Sequence, residues 1–425
     1  MSRFIIHGQR KLAGEYRPAG NKNAVLPMLA ACLLTDEAVT LRNAPDIRDV
    51  EVMLALLEGL GVRVARERDR VTLQAGSIRR RRLDPELCRR VRASILLAAP
   101  LAARHGSCVL PPPGGDIIGR RRLDTHFNGL RALGMAVEGG THYTLRRRQL
   151  RGADFLLDEA SVTATENLLM AATLAEGETT LFNAACEPHV TDLGALLVRM
   201  GARIEGLGTN CLRIEGVKAL HGAEHTVGPD LIEVGSFLAA AAATRGDLRV
   251  ADPGSLRDLQ VILRVFARLG VEVEAVPGEL RLPARQKRRI QRDLGRAIPK
   301  IEDGPWPQFP SDLMSVAIVL ATQARGTVLF FEKMFESRMY FVDRLIEMGA
   351  DIIPCDPHRV VVSGPCRLHG TRLATPDIRA GMSLLIAALC AKGRSVIDQA
   401  EVIDRGYERI DERLRALGAD IVREE

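Results

Sequence analysis

The sequence predicts an α/β protein built from six similar units, which form two closed domains of three units each, with the helices inside and the strands outside. Three observations support this prediction: two sequence phrases that recur in step with each other, and a set of helices that are apolar on nearly all sides. The chain has 425 residues, 46% of them hydrophobic, which is enough for two or three domains with a substantial core.

The first recurring phrase is a helical pattern that closes on a glycine and continues into a short β-like run. Its glycines are Gly61, Gly134, Gly201, Gly270, Gly349 and Gly418. Successive glycines are separated by about 70 residues, a period long enough for one supersecondary unit. The six units account for almost the whole chain, and a regular period of this kind indicates architecture more strongly than any single motif.

The second phrase is a strand pattern that follows a helix rich in small residues. The six strands are VTLRNA (39–44), CVLPPP (108–113), TTLFNA (179–184), LRVADP (248–253), TVLFFE (327–332) and SVIDQA (395–400). Each unit is therefore predicted to run helix, strand, loop, helix, strand, with room for a further strand before the next unit.

The first helix of each unit is apolar nearly all round, as in ENLLMAATLA (166–175) and GMSLLIAALCA (381–391). Such a helix is buried on every side, and its alanines and glycines allow close packing against neighbouring helices. Helices inside and strands outside are the reverse of a Rossmann sheet or a TIM barrel, and the chain has no GxGxxG or Walker sequence. A solenoid of stacked repeats is the alternative, but two closed domains suit wholly buried helices better.

Composition excludes several classes of protein. No apolar run approaches the roughly 18 residues of a membrane span, and the N-terminal sequence lacks the apolar block of a secretory signal. We therefore expect a cytoplasmic protein that does not act at a membrane. The eight cysteines include no CxxC pair, which predicts neither a zinc site nor a disulfide framework; most are expected to be small buried hydrophobes. No metal and no cofactor are predicted.

Nucleic-acid binding is the competing interpretation of the net charge of +6. The basic runs are Arg79 to Arg82, Arg146 to Arg148 and 285–289. Aromatic residues make up only 4% of the chain, and none lies among these runs to stack on bases. The runs are predicted to be solvated surface, and no nucleic-acid partner is expected.

Ionisable side chains open the apolar helices of five of the six units. The positions stand at matching distances before each first strand and are Lys22, Arg92, Val162 with Ser161 and Thr163 beside it, Glu233, Asp312 and Arg379. N-capping and first-turn charge explain Asp312 and Glu233. They do not explain the three cations, which oppose the positive end of the helix dipole and predict anion binding together with the free helix N–H groups.

Basic side chains also mark the loop after each first strand. They stand at matching distances before the repeating glycine and are Arg48, Arg121, His189, Arg257, Arg338 and Arg405. Because the planar fork of arginine suits both phosphate and carboxylate, these side chains predict a ring of anion-binding groups at one end of the two domains.

The loop at residues 111–122 combines three prolines, three glycines, Asp116 and three arginines. The segment from the start of its strand at Cys108 to Arg121 is longer than the matching segment of any other unit. A lengthened glycine-rich loop among anion-binding groups is a candidate lid, and we call it the lid loop. An ordinary turn with Asp116 as a turn residue is the alternative.

Eight short strings, in order along nearly the whole chain, carry a specific resemblance. They are Gly20–Ala24, Arg92–Ser94, Gly114–Gly119, Thr163–Asn167, Phe309–Asp312, Phe335–Arg338, Asp377–Ala380 and Asp404–Arg409. Together they resemble the UDP-N-acetylglucosamine 1-carboxyvinyltransferase family. The resemblance implies the enolpyruvyl transferase fold, an inside-out α/β barrel pair with one domain at 22–228, carrying the lid loop, a second at 1–21 plus 229–425, and the active site between them.

The resemblance also implies a reaction: transfer of the enolpyruvyl group of phosphoenolpyruvate to the 3-hydroxyl of UDP-N-acetylglucosamine, with release of phosphate, as the first committed step of peptidoglycan synthesis. It assigns catalysis to Asp312 as the base, Asp116 as the acid of the lid, and Lys22. The implied substrate-binding residues are Lys22, Asn23, Arg92, Arg121, Arg122, Leu123, Asp124, Ser161, Val162, Thr163, Asp312, Met334, Arg338, Arg379 and Arg405.

Three residues depart from the family pattern. Asp116 stands where most members have the cysteine that fosfomycin, an epoxide antibiotic, attacks, which implies insensitivity to that compound. Leu231 replaces a common arginine and Thr163 a common glycine beside the diphosphate. Transfer to another acceptor, a nucleotide of secondary metabolism or shikimate 3-phosphate, stays open, with shikimate disfavoured because the uridine-wall segments are present. The non-enzyme alternative is a repeat protein that binds anionic surfaces or nucleic acid.

Overall fold

The computed structural model of the chain describes residues 2–425. The strands are β1 Arg3–His7, β2 Ala13–Tyr16, β3 Ala38–Arg42, β4 Arg63–Glu67, β5 Arg70–Gln74, β6 Ser107–Leu110, β7 Met135–Glu138, β8 Tyr143–Arg147, β9 Asp154–Leu156, β10 Glu178–Phe182, β11 Arg203–Glu205, β12 Cys211–Glu215, β13 Ala223–Thr226, β14 Asp247–Ala251, β15 Glu274–Val276, β16 Glu279–Leu282, β17 Lys300–Glu302, β18 Gly326–Phe331, β19 Asp351–Asp356, β20 Arg359–Gly364, β21 Arg372–Ala374, β22 Arg394–Asp398 and β23 Asp420–Glu424.

Helices alternate with these strands along the chain. The α-helices are α1 Lys22–Ala31, α2 Arg48–Leu60, α3 Pro85–Arg90, α4 Ala98–His105, α5 Asp124–Ala132, α6 Val162–Ala172, α7 Pro188–Arg199, α8 Leu231–Ala243, α9 Leu256–Arg268, α10 Met314–Thr322, α11 Val342–Glu347, α12 Ile378–Cys390 and α13 Ile410–Ala416. Short 3-10 helices span Cys32–Leu34, Arg92–Leu97, Leu294–Arg296, Ser311–Leu313 and Ala400–Arg405.

The chain divides into two compact units. The first unit comprises Gly20–Asp116 and Arg121–Gly228, and the second comprises 2–19, Ile117–Arg120 and Pro229–Glu425. The lid loop is thus shared, with its middle four residues in the second unit.

The first unit has three sheets, with strand orders β13-β3-β5-β4, β11-β12-β10-β9 and β6-β8-β7. β13, from the end of the unit, pairs in parallel with β3 from its start, so the unit closes on itself. In the three-stranded sheet the fourth strand is reduced to a single parallel bridge between Arg82 and Val109. α1, α4 and α6 are buried on nearly all sides, and α6 packs against both of the others.

The second unit repeats this plan with sheets β21-β22-β1-β23, β15-β16-β14-β2 and β17-β18-β20-β19. Every residue of α8 and α10 is buried, and α10 packs against α8 and α12. The N-terminal strands complete two sheets: β2 lies parallel to β14, and β1 lies antiparallel between β22 and β23. The predicted arrangement of helices inside and strands outside is therefore present in each unit.

The six recurring glycines all have positive φ values, between 81° and 105°. Each follows the last residue of α2, α5, α7, α9, α11 or α13 by one or two positions. At Gly134 a side chain is excluded twice over, because φ is +90° and an added Cβ would lie 2.0 Å from the carbonyl oxygen of Gln149. The first recurring phrase is therefore confirmed as a helix that ends on a left-handed glycine.

The predicted exposure of the basic runs and the cysteines agrees with the structure in part. The three basic runs are largely exposed, as predicted. Cys32, Cys88 and Cys108 are buried, but the expectation of mostly buried cysteines is wrong for Cys211 and Cys355, which occupy outward-facing positions of β12 and β19. Of the helices within 2–425, none is long and apolar enough to cross a membrane.

Candidate active site

Lys22 is placed by the start of α1. The side chain of Asn21 caps this helix by accepting from the backbone N–H groups of Asn23 and Ala24. The Lys22 ammonium lies 2.9 Å from Asp49 Oδ2, and both side chains are largely buried. Asp49 is the second residue of α2, so the ion pair joins the N-terminal ends of two helices and fixes the direction of the ammonium.

Arg92 and Arg121 concentrate positive charge in the first unit. Arg92 Nη2 donates a 2.6 Å hydrogen bond to the backbone carbonyl of Arg121. Burial lowers the pKa of Arg92 to about 10, and the charge of Arg121 contributes to this shift. Within residues 2–425, no carboxylate forms an ion pair with Arg92. An uncompensated guanidinium beside a second one favours an anionic ligand.

Thr163 is held by a buried histidine. Asn167 Nδ2 donates to the carbonyl of Ile95 at 3.1 Å and to His126 Nδ1 at 2.9 Å. An amide nitrogen only donates, so Nδ1 accepts and the proton of His126 lies on Nε2. Nε2 is 3.2 Å from Thr163 Oγ1 and donates to it. Because Thr163 Oγ1 accepts this hydrogen bond, its own hydroxyl proton is available to a different acceptor.

His126 keeps this tautomer because it stays neutral. Burial, followed by the charges of Arg92 and Arg121, lowers its pKa to about 3. The same contacts bring the N-terminal ends of α5 and α6 together, and Thr125 and Arg122 both bind Asp158 between them.

The predicted uridine-wall segments therefore lie close to each other within the first unit. They are Arg122, Leu123 and Asp124 at the start of α5, and Ser161, Val162 and Thr163 at the start of α6.

The first part of the lid loop, up to Asp116, packs on the segment that ends α3. Gly114 N donates to the carbonyl of Cys88 at 2.9 Å, and an added Cβ at Gly114 would lie 1.8 Å from the carbonyl oxygen of Arg89. Gly115 has φ +93°, and an added Cβ there would lie 3.0 Å from the backbone nitrogen of Arg92. These glycines permit backbone contacts that a side chain would obstruct. Asp116 follows them and is half-buried.

The middle of the lid loop, Ile117–Arg120, packs within the second unit on the Phe335–Arg338 segment. Ser337 N donates to the carbonyl of Ile118 at 3.1 Å, and Arg120 N donates to Glu336 Oε2 at 3.3 Å. Hydrogen bonds from backbone N–H groups lower the pKa of Glu336. Ile118 is buried, whereas Ile117 is 90% exposed.

Asp312 lies between two arginines of the second unit. Its Oδ1 is 2.6 Å from Arg338 Nη2, and its Oδ2 is 2.9 Å from Arg379 Nη2. Both guanidinium groups are buried, whereas a quarter of the Asp312 side chain is exposed. Two such ion pairs favour the ionised carboxylate. Burial opposes the charge of Arg379, but Asp312 and then Tyr407 outweigh it, so its pKa is raised.

The two arginines retain donor capacity. Arg338 Nε and Arg379 Nη1 are buried and have no acceptor within residues 2–425. Asp377 caps α12 by accepting from the N–H groups of Arg379 and Ala380, and lies 3.6 Å from Arg338 Nη1. Asp377 therefore positions both arginines around Asp312.

Other residues singled out from the sequence lie as follows. Arg405 ends the 3-10 helix Ala400–Arg405, Met334 is 39% exposed, and Asn23 is half-buried in the first turn of α1. Leu231 is 8% exposed, at the start of α8. Glu233 contributes to internal structure instead, because its carboxylate binds Tyr16, the N–H of Ala19 and Arg413.

Sequence reasoning missed the acids and the histidine that position the predicted site residues. Asp49, Asp377 and His126 were not singled out, although Asp377 stands in a quoted string. Asn167 carried a detectable signal, because it is an amide inside a helix that is otherwise largely apolar. No group of three or more His, Cys, Asp and Glu side chains within residues 2–425 is placed to hold a metal ion.

Comparison with known proteins gives consistent results. The family model described as EPSP synthase (3-phosphoshikimate 1-carboxyvinyltransferase) matches residues 6–414. The UDP-N-acetylglucosamine 1-carboxyvinyltransferase of Bradyrhizobium diazoefficiens is 53% identical over 421 residues, which are 99% of this chain and 97% of that protein. The protein of the same name from Treponema pallidum is 52% identical over 425 residues, 100% of both chains.

Among solved structures, the chain is similar to the enolpyruvyl transferase NikO from Streptomyces tendae. The TM-score is 0.87 at 26% identity, and the match covers 99% of this chain and 98% of that one. The predicted enolpyruvyl transferase fold is therefore confirmed.

Proposed function

Since the chain belongs to the UDP-N-acetylglucosamine 1-carboxyvinyltransferase family, within the broader EPSP synthase family, we propose that it transfers the enolpyruvyl group of phosphoenolpyruvate to the 3-hydroxyl of UDP-N-acetylglucosamine. The observation that carries this proposal is a sequence identity of 53% and 52% to two relatives with that name, over essentially their full length. A cytoplasmic location and a step in peptidoglycan synthesis belong to the same proposal.

Asp312 supplies the base in this proposal. Its ionised carboxylate takes the proton of the sugar 3-hydroxyl as the oxygen forms a bond to C2 of phosphoenolpyruvate, and C3 takes a proton from Asp116. The resulting tetrahedral intermediate then returns a proton from C3 to the Asp116 carboxylate and releases phosphate from C2, which takes the proton held by Asp312, so that the double bond and both side chains are restored. The partial exposure of Asp312 between two buried arginines supports this role.

The cations bind the anionic groups of phosphoenolpyruvate. Arg92 and Arg121 of the first unit combine two guanidinium groups, and Lys22 adds an ammonium directed by Asp49. In the second unit, the proposed ligands of these anionic groups are Arg338, Arg379 and Arg405. Phosphate and carboxylate both match the fork of arginine, so these side chains hold the donor and stabilise charge on the departing phosphate.

The nucleotide is assigned to the segments at the starts of α5 and α6. Thr163 presents its hydroxyl proton beside the N–H groups of the first turn of α6, an arrangement that suits a diphosphate oxygen. Asn23 and Met334 complete the proposed contacts. A different nucleotide acceptor is the second candidate, because Leu231 and Thr163 differ from the family pattern.

The decisive experiment measures phosphate release from phosphoenolpyruvate with UDP-N-acetylglucosamine, UMP or shikimate 3-phosphate as acceptor. We expect release with UDP-N-acetylglucosamine and none with shikimate 3-phosphate. Release with UMP alone would identify the second candidate. No release with UDP-N-acetylglucosamine would overturn the main proposal.

A further inference from the structure

Two carboxyl groups, Asp303 and Glu332, are fully buried in the second unit. Asp303 directly follows β17 and Glu332 directly follows β18, and these strands are parallel neighbours in which Glu302 lies opposite Phe331. The next residue of each strand therefore reaches the same edge of the sheet. That edge also carries Ser311, which directly precedes Asp312.

Glu332 binds three donors. Its Oε1 accepts from Ser311 Oγ at 3.0 Å and from the N–H groups of Met334 and Phe335 at 3.2 Å. Its Oε2 is also 3.0 Å from Ser311 Oγ. Glu332 therefore ties the segment before Asp312 to the segment before Glu336 and Arg338.

Asp303 has one oxygen without a donor. Its Oδ1 accepts from Lys333 N at 2.6 Å, but its buried Oδ2 accepts from no N–H or O–H of residues 2–425. Glu332 occupies the equivalent position after the neighbouring parallel strand and is also fully buried, and its interaction with Asp303 raises the pKa of Glu332. Two ionised carboxylates in contact away from water would repel each other, whereas one proton between them turns the contact into a hydrogen bond.

We propose that Glu332 and Asp303 share one proton, and that this protonated pair is a positioning element that holds Ser311 beside Asp312 and the 333–335 backbone ahead of Arg338. The expected effect of this pair on turnover rests on the proposed function. The presence of the shared proton does not, because it can be detected without any turnover. Glu332 acts through its neighbours and not on substrate.

The surrounding charges agree with a retained proton. Burial raises the pKa of Glu332 to about 9, Asp303 contributes to this rise, and the cation Arg338 opposes it. His358 contacts only the backbone of Glu332, through its Nδ1 and its carbonyl oxygen. The ammonium of Lys333 turns away to Glu302 and Gln308. The pair therefore holds its proton at neutral pH and loses it at about pH 9.

The pH dependence of stability has a definite sign. Because the folded-state pKa lies above the usual 4.5, the pair's contribution is fully present below about 4.5, declines as the pH rises, and is lost by about 9. Glu332→Gln keeps the donor and acceptor pattern of the protonated acid without titrating. The Tm difference between Glu332→Gln and wild type should therefore grow with rising pH across this window and level off above it.

The spectroscopic test compares wild type with Glu332→Gln and with the control Glu302→Gln, which removes a carboxylate from a position next to Asp303. The infrared spectrum of wild type minus Glu332→Gln at neutral pH should contain a protonated carboxylic acid band, and that of wild type minus the control should contain none. Subtraction cancels other buried acids such as Glu166, which both proteins share. This spectrum and the Tm profile require no turnover, so they remain readable if the acceptor assay fails.

Kinetics supply the positioning readout. Glu332→Gln should extend the alkaline limb of kcat/KM by at least about one pH unit, whereas Asp303→Asn should move it to lower pH, because the negative neighbour that holds the proton is gone. The proposal is overturned if subtracting Glu332→Gln from wild type yields no carboxylic acid band, or if that variant keeps the wild-type pH profiles of both Tm and kcat/KM.

Discussion

At the scale of single residues, Asp312 is more exposed than Asp377, the other carboxylate beside Arg338, and buried guanidinium groups hold it on both oxygens. This arrangement fixes its direction and sets its negative charge against two cations. If Asp312 is the base, as proposed above, then donor binding and base catalysis share Arg338 and Arg379, because these guanidinium groups contact Asp312 directly.

We expect Asp312→Asn to lower kcat by about 10²- to 10⁴-fold, the usual contribution of general base catalysis. Nucleotide affinity should change little, because the amide occupies the same volume. Steady-state kinetics and calorimetric titration with UDP-N-acetylglucosamine measure the two effects. The exposed Asp351 gives the control, Asp351→Asn, which should match wild type. An Asp312→Asn enzyme with normal kcat would remove Asp312 from the mechanism.

Asp116 predicts the response to epoxides. A carboxylate replaces the thiolate that fosfomycin alkylates, so wild-type enzyme should keep its activity, and Asp116→Cys should lose it in a time-dependent manner. Cys108 is close in sequence, but it is buried and burial raises its thiol pKa, so it is no substitute target. Mass spectrometry of treated protein locates the adduct; an adduct at Cys108 in wild type would contradict this account.

His126 predicts an acid-side loss of stability. Its folded-state pKa of about 3 is below the usual 6.5, so its contribution is full above about 6.5 and is lost as the pH falls toward 3. The free energy of unfolding should change with pH by at most about 1.4 kcal/mol per pH unit from this group. Denaturant unfolding of wild type and of His126→Gln between pH 3 and 6.5 measures this slope. Equal slopes in the two proteins would show that His126 titrates normally.

At the scale of elements, the lid loop depends on Gly114. A Cβ there would lie 1.8 Å from the carbonyl oxygen of Arg89, so the loop must move away from α3. We expect Gly114→Ala to lower kcat/KM at least about tenfold, as misplaced catalytic groups do. Gly59 provides the matched control, because it is exposed in α2 with no atom near an added Cβ. Gly59→Ala should keep full activity and stabilise the protein by about 0.5–1 kcal/mol.

If Gly114→Ala retained wild-type kcat/KM, the position of the loop on α3 would have no part in turnover. Circular dichroism of both variants distinguishes a local displacement from general unfolding. In the local case the spectra of Gly114→Ala, Gly59→Ala and wild type coincide.

The elements themselves were largely predictable. Periodicity located the buried helices, and the recurring glycines located the ends of the helices that follow, since a left-handed residue allows that termination at Gly134 and its five equivalents. The pairing of strands was harder to predict from the sequence. Nothing local in residues 3–7 indicates that β1 pairs with β22 and β23 near the other end of the chain, because pairing depends on register and topology.

The site was predictable in its charges but not in their partners. Lys22, Arg92 and Arg379 stood out because cations at helix starts oppose the dipole. The acids that direct Lys22 and Arg379, which are Asp49 and Asp377, are ordinary first-turn or capping residues in sequence, and only the packing of helices against each other gives them a second role. The shared proton proposed for the two carboxyl groups after β17 and β18 is likewise invisible until those strands are placed side by side.

At the scale of the whole molecule, the second unit depends on its N-terminal strand. Phe4 and Ile6 of β1 are fully buried in the core of this unit. We expect Phe4→Ala to destabilise it by about 3–5 kcal/mol, the usual cost of a truncated core phenylalanine. Hydrogen exchange should show the loss in peptides covering β22 and β23. Peptides of α1 and α6 in the first unit provide the internal reference, and unchanged exchange in β22 would contradict the role of β1.

The place of β1 also sets an order of events during synthesis. All the strands of the first unit lie between residues 38 and 226, so its sheets can be completed soon after that part of the chain has left the ribosome. β1 precedes all of them in the chain, yet its partners β22 and β23 follow all of them. β1 therefore stays unpaired, with the apolar side chains of Phe4 and Ile6 uncovered, until residues 394–424 have been synthesised, and exposed apolar strands of this kind favour aggregation during folding.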